Sequence, residues 1–218
     1  MNLPLCYQKI IFRGVMIMGL IEIVSFTLLF IFGISYIGKL IILFKKNNIK
    51  ANVFGKGVKP KETLIIEKHL RVITFLGLGV WFVNALLPSF AKKWFVVIYK
   101  SFEIGILGLV ISFIGVSFFI LAMFFMKTSW RVGIDKSTKT SLITSGIYRF
   151  SRNPAFVGMD LMFIGTTITY LNLVMLITAV LVIVALHQQI LQEEKHMEGI
   201  FNKEYNEYAN KTPRYLLF

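Results

Sequence analysis

Two polar stretches in the C-terminal half of the chain contain the residues best suited to chemistry. The first, residues 140–160, reads TSLITSGIYRFSRNPAFVGMD, a basic loop that passes through Arg-Asn-Pro at 152–154 into an apolar segment. The second contains the adjacent carboxylates Glu193 and Glu194, which follow a long apolar run. Guanidinium groups suit anionic ligands, whereas carboxylates suit cations and hydroxyls. Together, these side chains would suit a small charged molecule bound at a membrane surface.

The chain as a whole is too apolar for an ordinary soluble domain. Of its 218 residues, 56% are hydrophobic and 16% are charged, and the mean hydropathy is +0.71. The formal net charge is +13, but the positive residues cluster in loops between apolar runs, a pattern that sets membrane topology. Cys6 is the single cysteine, which excludes an intrachain disulfide and a cysteine metal site. We therefore expect a membrane protein without a nucleic-acid partner or a metal.

The apolar runs predict five membrane-spanning helices. Residues 14–44, 72–91 and 95–126 form three runs of the length that a bilayer requires, for which about 20 residues suffice. Residues 156–190 are interrupted only at 170–172, by Tyr-Leu-Asn, and this break predicts a hairpin of two antiparallel helices. The expected fold is an all-α integral membrane protein built as a five-helix transmembrane bundle.

The loops between the runs predict the orientation of the bundle. Residues 45–71 and 127–152 are both strongly basic, whereas the turn of the hairpin carries no charge. Because basic loops stay on the cytoplasmic side, we expect both loops and the polar tail, residues 188–214, in the cytoplasm. Two glycines and a proline in the middle of the loop 45–71 indicate that its middle is not helical.

Several residues inside the apolar runs have structural interpretations. Asp160 lies two turns after Arg152 and could hold the preceding loop by a charge pair. His187 has no histidine or carboxylate at metal-ligand spacing, so a metal site is not expected. Gly158 and Gly165 lie two turns apart on one stripe, which is typical of close helix packing.

From residue 130 to the C-terminus, the polar residues have a distinctive order and spacing. The residues concerned are Gly146, Tyr148, Arg152, Asn153, Pro154, Gly158, Glu193, Glu194, Phe201, Glu204, Tyr205, Tyr208, Pro213 and Arg214. Their order resembles the isoprenylcysteine carboxyl methyltransferase family, and the related phospholipid N-methyltransferases share the general arrangement. The spans before residue 130 agree with the family only in number and hydrophobicity.

The resemblance implies a three-span N-terminal region, residues 1–129, and a methyltransferase core, residues 130–218. Its cofactor would be S-adenosylmethionine, held in a cytoplasmic pocket between the loop before the hairpin and the C-terminal segment. The residues implied to contact the cofactor are Thr140, Ser141, Leu142, Ile143, Tyr148, Asn153, Pro154, Ala155, Phe156 and Glu193.

The resemblance also implies a lipophilic or lipidated substrate, which would enter sideways from the surrounding membrane lipids. Two positions depart from the family pattern: Asn153 replaces the usual histidine, and Gln189 replaces an arginine that would meet a substrate carboxylate. Glutamine cannot form the charge-assisted fork of arginine, so a carboxylate, a phospholipid and other small lipophilic acceptors remain possible. The implied catalytic positions are Gln189 and Arg214, and the implied substrate contacts are Arg152, Glu194, Tyr205 and Tyr208.

Two other classes of protein share some of these features. A membrane sterol or enone reductase that uses NADPH also ends in a helical bundle with arginine and tyrosine in a cytoplasmic tail. Five spans in 218 residues are few for that class. A non-catalytic membrane protein is the third interpretation, which rests on the departures at Asn153 and Gln189.

Overall fold

α-Helices account for the fold in the part of the chain that the computed structural model describes, residues 5–57, 59–99, 101–135 and 141–216, with side chains from residue 19 onward. These residues contain no β-strand, only isolated bridges between Asn52 and Val132 and between Val97 and Asn172. The all-α prediction is confirmed. The helices are α1 (Leu5–Asn47), α2 (Lys61–Leu86), α3 (Pro88–Trp94), α4 (Phe102–Met126), α5 (Pro154–Tyr170), α6 (Leu173–Phe201) and α7 (Lys203–Lys211).

Four helical segments among the described residues are long and apolar enough to cross a membrane. They are Gly19–Asn47, Lys61–Leu86, Phe102–Ser129 and Leu173–Phe201. α5 is shorter, with 17 residues. Large apolar side chains are exposed along α1, α2, α4 and α6, as expected of surfaces that face lipid. The chain is a multi-pass membrane protein.

Helix α2 begins at Lys61, so the prediction of a loop as far as residue 71 is wrong over its last part. Thr63, Glu67 and Leu70 are buried at helical spacing within this segment. The helical spacing of the buried residues could not be recognised in the sequence of this segment, because the segment is rich in charges and one of the buried residues is itself a carboxylate. The second apolar run, residues 72–91, is divided near Pro88, since α2 ends at Leu86 and Pro88 opens the short helix α3.

The predicted break at residues 170–172 forms the turn between α5 and α6. Leu171 adopts a left-handed conformation, and the Asn172 side chain caps α6 by accepting a hydrogen bond from the Met175 N–H at 2.9 Å. The Asn172 amide also donates to Asn84 Oδ1 on α2 at 2.8 Å. This bond satisfies two polar side chains inside the bundle and fixes the hairpin against α2.

Close packing between α4 and α5 is built from glycines on both helices. A Cβ atom added to Gly115 would lie 2.6 Å from the Gly158 carbonyl oxygen, and one added to Gly158 would lie 2.6 Å from the Phe119 nitrogen. Gly108 faces Gly165 in the same way, so the two helices are antiparallel. The predicted role of Gly158 and Gly165 in helix packing is confirmed. α5 is thereby held tightly against α4 one turn beyond the Arg-Asn-Pro loop.

We expect Gly158→Ala to lower the melting temperature and to reduce activity. The new methyl group would meet backbone atoms of α4, which cannot move aside as a side chain can, and overpacking of this kind costs about 2 kcal/mol or more. A fall in Tm of roughly 5 °C would follow for a chain of this size. Thermal melting of the detergent-purified protein measures the effect.

Gly79→Ala in α2 is the matched control, because a Cβ atom there meets nothing within 4 Å. Alanine favours a helix over glycine, so the Tm of the Gly79 variant should be unchanged or slightly higher. Equal melting temperatures for the two variants would contradict the packing described for α4 and α5.

Candidate active site

A cavity of about 990 Å³ lies between α1, α2 and the C-terminal half of the chain. The structure therefore brings together the loop before α5 and the carboxylates at the end of α6. Thr140 lies outside the described residues, Pro154 is buried at the start of α5, and Gln189 and Arg214 do not line the cavity. The predicted residues that line it are Ser141, Leu142, Ile143, Tyr148, Arg152, Asn153, Ala155, Phe156, Glu193, Glu194, Tyr205 and Tyr208.

Glu194 is the centre of the polar network at this site. Arg152 Nη2 lies 3.1 Å from its Oε1 atom, and Arg214 Nη2 lies 2.9 Å from its Oε2 atom. The Asn153 amide donates to Oε1 at 2.9 Å. One carboxylate thus joins two arginines and an asparagine from the loop and the tail.

The tail is fastened to the loop through its backbone as well. Arg152 Nη1 donates to the carbonyl oxygens of Ala209 and Thr212, at 3.0 and 2.6 Å. The Arg152 N–H donates to the Pro213 carbonyl oxygen at 2.9 Å. The predicted charge pair between Arg152 and Asp160 is wrong, because α6 and the tail supply the partners of this arginine.

Glu193 is partly buried and faces the cavity. Its Oε1 atom accepts a hydrogen bond from Gln189 Nε2 at 3.0 Å, one turn earlier on α6. Among the described residues, Glu193 forms no ion pair. Gln189 is fully buried, so it orients the carboxylate from behind the cavity wall. Glu193 therefore presents a carboxyl group that a cationic ligand in the cavity can bind.

Tyrosine side chains close the cavity on the side of α7. Tyr148 lies on the 3-10 turn Gly146–Arg149, and its carbonyl oxygen accepts a hydrogen bond from the Tyr208 hydroxyl at 2.6 Å. Burial raises the pKa of Tyr148 well above its usual range, and burial also raises the pKa of Tyr205 to about 12. Near neutral pH these phenols stay protonated, so they can donate and accept hydrogen bonds but cannot act as bases.

The sequence interpretation missed a buried ion pair above the cavity. Lys59 Nζ lies 2.9 Å from Glu67 Oε1, and the two side chains are 3% and 0% exposed. Glu67 also accepts hydrogen bonds from the N–H groups of Gly55 and Ile134, at 2.6 and 2.9 Å. One α2 carboxylate therefore holds together two loops, whose residues 52, 54, 56 and 130–133 line the cavity. The available sequence signal was the presence of two carboxylates, Glu62 and Glu67, in a segment that is otherwise basic.

The first two helices form an apolar wall that the sequence interpretation also did not assign. Several side chains of α1 and α2 that line the cavity have large exposed fractions. The cavity is therefore open along α1 and α2, and both helices are long and apolar enough to cross a membrane. The apolar run of each helix predicted a span but not its role in the site. The residues concerned include Phe30, Ile34, Ile37, Phe75 and Phe82.

His187 contacts a tyrosine of the tail. Its Nδ1 atom lies 2.6 Å from the Tyr215 hydroxyl, and the two rings stack with centroids 6.2 Å apart. This contact adds a second attachment of the tail to α6. The described part of the chain contains no group of three or more histidine, cysteine, aspartate or glutamate residues that could hold a metal ion.

Comparison with known proteins points to one group of enzymes. Residues 102–204 match the family model described as phospholipid methyltransferase. The chain is 27% identical over 160 residues to a probable protein-S-isoprenylcysteine O-methyltransferase of Oryza sativa subsp. indica, which covers 72% of this chain and 80% of that protein. Protein-S-isoprenylcysteine O-methyltransferase B of Arabidopsis thaliana is also 27% identical, over 172 residues, with 74% and 80% covered.

A yeast relative adds a shorter match. Protein-S-isoprenylcysteine O-methyltransferase of Saccharomyces cerevisiae is 33% identical over 82 residues, which cover 37% of this chain and 34% of that protein. No solved structure matches the chain significantly. The resemblance to the isoprenylcysteine carboxyl methyltransferase family is confirmed.

The chain is thus a membrane methyltransferase, and the comparisons do not favour a reductase or a non-catalytic protein. The matched segment, residues 102–204, contains Tyr148, Arg152, Asn153 and the adjacent carboxylates Glu193 and Glu194. The buried pair of Lys59 and Glu67 and the α1–α2 wall lie outside it. The structure therefore adds to the site a part of the chain that the family model does not cover.

Proposed function

We propose that the protein transfers a methyl group from S-adenosylmethionine to a lipophilic acceptor at the cytoplasmic surface of a membrane. The observation that carries this proposal is the position of Glu193, a carboxylate without an ion-pair partner among the described residues, on the wall of a cavity that is open along α1 and α2. A cationic donor would neutralise this charge, and an apolar acceptor would fit the wall between α1 and α2.

The residues present fit S-adenosylmethionine. The molecule has a positive sulfonium, an ammonium, a carboxylate, two ribose hydroxyls and an adenine ring, so it needs an acidic group, a cationic or hydrogen-bonding partner for its own carboxylate, and flat apolar surfaces. Glu193 supplies the acidic group, Tyr148 and Phe156 supply rings, and Asn153 supplies an amide at the same wall. The remaining proposed contacts are Thr140, Ser141, Leu142, Ile143, Pro154 and Ala155. The bound donor would supply an activated methyl group.

The acceptor that we propose is an amphiphile with a carboxylate head. A carboxylate is ionised near pH 7 and attacks without a general base, whereas an ammonium would first have to lose a proton. The tyrosines at the cavity stay protonated, so they are poor bases, and this favours an acceptor that needs none. Arg152, Glu194, Tyr205 and Tyr208 would contact the acceptor.

The protein's own part in the reaction is alignment and exclusion of water. Methyl transfer is an in-line displacement, and holding the two reactants in line supplies a large share of the rate. Gln189 would orient Glu193 from behind, and Arg214 would hold Glu194 and the tail in place. Neither side chain lines the cavity, so we assign both a positioning role.

The same proposal includes the arrangement in the membrane. We propose that α5 joins the four longer helices in a five-helix bundle, with the basic loops, the cavity mouth and the C-terminus in the cytoplasm. The core, residues 130–218, would bind the donor, and residues 1–129 would supply the wall for the lipid. The tight packing of α5 on α4 supports the placement of α5 inside the bundle.

Binding of S-adenosylhomocysteine tests the donor site. Calorimetric titration of the detergent-purified protein should show saturable binding, and Glu193→Ala should weaken it by roughly 10- to 100-fold, because hydrogen bonds to a charged group are lost. The expected cause is loss of the carboxylate that faces the cavity.

Glu198→Ala is the matched control, since this exposed glutamate lies on the same helix. It should bind like the wild type. Unchanged affinity in the Glu193 variant would remove this residue from the site, and absence of saturable binding by the wild type would overturn the proposed donor.

A further inference from the structure

The cavity wall contains three guanidinium groups, and they differ in how their charge is neutralised. Arg152 is bound to Glu194 and to tail carbonyls. Arg131 Nε lies 3.0 Å from Asp135 Oδ2. Arg71 forms no ion pair with any carboxylate among the described residues. Its positive charge is therefore available to a ligand.

Arg71 is nevertheless held in a defined position. Its Nη2 atom donates to the Phe54 carbonyl oxygen, and its guanidinium lies over the Phe54 ring, 5.5 Å from the centroid. A Cβ atom added to Gly55 would lie 3.1 Å from Nη2, so the loop backbone packs directly on this group. A fixed guanidinium can present its remaining N–H groups as a planar fork for a carboxylate or a phosphate.

The nearest acidic residue on the helix cannot serve as the counter-charge. Glu67 lies one turn before Arg71, but Lys59 and the N–H groups of Gly55 and Ile134 already occupy its oxygens. Lys56 also lines the cavity and is exposed, without an ion-pair partner among the described residues. This side of the cavity therefore carries net positive charge, opposite in sign to Glu193.

Arg71 also lies where a lipid head group would be. It is the last charged residue of α2, because residues 72–86 carry no charge. Phe75 follows it by one turn and Phe82 by three, and both line the cavity and are exposed to lipid. An amphiphile whose chain lies against these side chains would place its polar head beside the guanidinium.

We propose that Arg71, assisted by Lys56, binds the anionic head group of the lipid substrate and so determines specificity for anionic amphiphiles. This inference rests on the proposed function, and it assigns to α2 the anion recognition that Gln189 cannot provide from α6. Arg71 binds and orients the acceptor in this arrangement, while Glu193 binds the donor. The head groups that Arg71 would bind have in common an anionic oxygen group, which is either a carboxylate or a phosphate.

Three ligands with one apolar chain test the proposal: N-acetyl-S-farnesylcysteine, its neutral amide and farnesyl phosphate. Their dissociation constants are measured by calorimetry for the wild type and for Arg71→Gln. Loss of a charge-assisted fork should weaken binding of the anions about tenfold or more and leave the amide unchanged. Arg71→Lys should keep part of the affinity, because the charge remains without the fork. Weakening confined to the cysteine ligand identifies a carboxylate site, and weakening of both anions a general anion site.

Lys68→Gln is the matched control, since it removes one positive charge from the same helix at an exposed position outside the cavity. It should leave all three constants unchanged. Equal binding of the anions to wild type and Arg71→Gln, or equal weakening of the amide, overturns the proposal. S-adenosylhomocysteine binding is measured in parallel. If the wild type does not bind S-adenosylhomocysteine, the proposed donor is refuted. If it does, but the anions bind equally well to wild type and Arg71→Gln, only the role of Arg71 is refuted.

Discussion

Replacing Glu194 with alanine is expected to abolish methyl transfer and to release the C-terminal tail from the bundle. The change leaves Arg152 and Arg214 without their shared carboxylate and leaves the Asn153 amide without an acceptor. Removing one partner from a buried charge network costs roughly 3–5 kcal/mol, and about 2–3 kcal/mol is expected here because the side chains are partly exposed. The tail should detach first, because Arg214 loses the carboxylate that is its ion-pair partner among the described residues.

Limited trypsin digestion measures this release. Cleavage after Arg214 should become much faster in Glu194→Ala, while S-adenosylhomocysteine affinity falls together with activity. Glu207→Ala is the control, because this glutamate lies exposed on α7 and takes no part in the network. If the tail of Glu194→Ala were as resistant to trypsin as that of the control, the network would not be what holds it.

Glu67→Ala is expected to be the most destabilising single change in the N-terminal half. It leaves the Lys59 ammonium, whose side chain is 3% exposed, without a counter-charge, and it leaves two backbone N–H groups without an acceptor. Breaking such a pair costs about 3–5 kcal/mol. We expect a fall in Tm of roughly 10 °C, with loss of activity because both loops that line the cavity are released.

A double variant separates the ion pair from the rest of the packing. Replacing Lys59 and Glu67 together by methionine removes both charges at once, and such replacements of a buried pair are often neutral in stability. The double variant should therefore melt well above Glu67→Ala. Glu62→Ala, at an exposed position one turn earlier, should melt like the wild type. A double variant no more stable than Glu67→Ala would show that the charge imbalance is not the cause.

The C-terminal half of the site could be predicted from the sequence to a large extent. The order of polar residues from Tyr148 to Arg214 indicated one family, and the structure places most of the proposed contacts around one cavity. The pairing within that set could not be predicted. The sequence suggested Asp160, two turns away, as the partner of Arg152. In the structure the partner is Glu194, because α6 returns beside the loop.

The contribution of the N-terminal half to the site could not be predicted, because each of its sequence signals has more than one interpretation. The start of α2 carries lysines and glutamates that are typical of a polar loop, and nothing local shows that Glu67 is buried. Its burial depends on Ile134, which is 67 residues away in the chain. Arg71 is equally ordinary in sequence, since an arginine at the end of an apolar run is usually a topological signal.

The network around Arg152 also determines when the site can form during biosynthesis. The carbonyl groups of Ala209 and Thr212 that accept its hydrogen bonds follow it by 57 and 60 residues. Until these residues have been translated, the Arg152 guanidinium lacks the two backbone acceptors that bind its Nη1 atom in the folded protein. The loop before α5 can therefore reach the hydrogen-bonding pattern of the folded protein only after the segment that contains Ala209 and Thr212 has been translated.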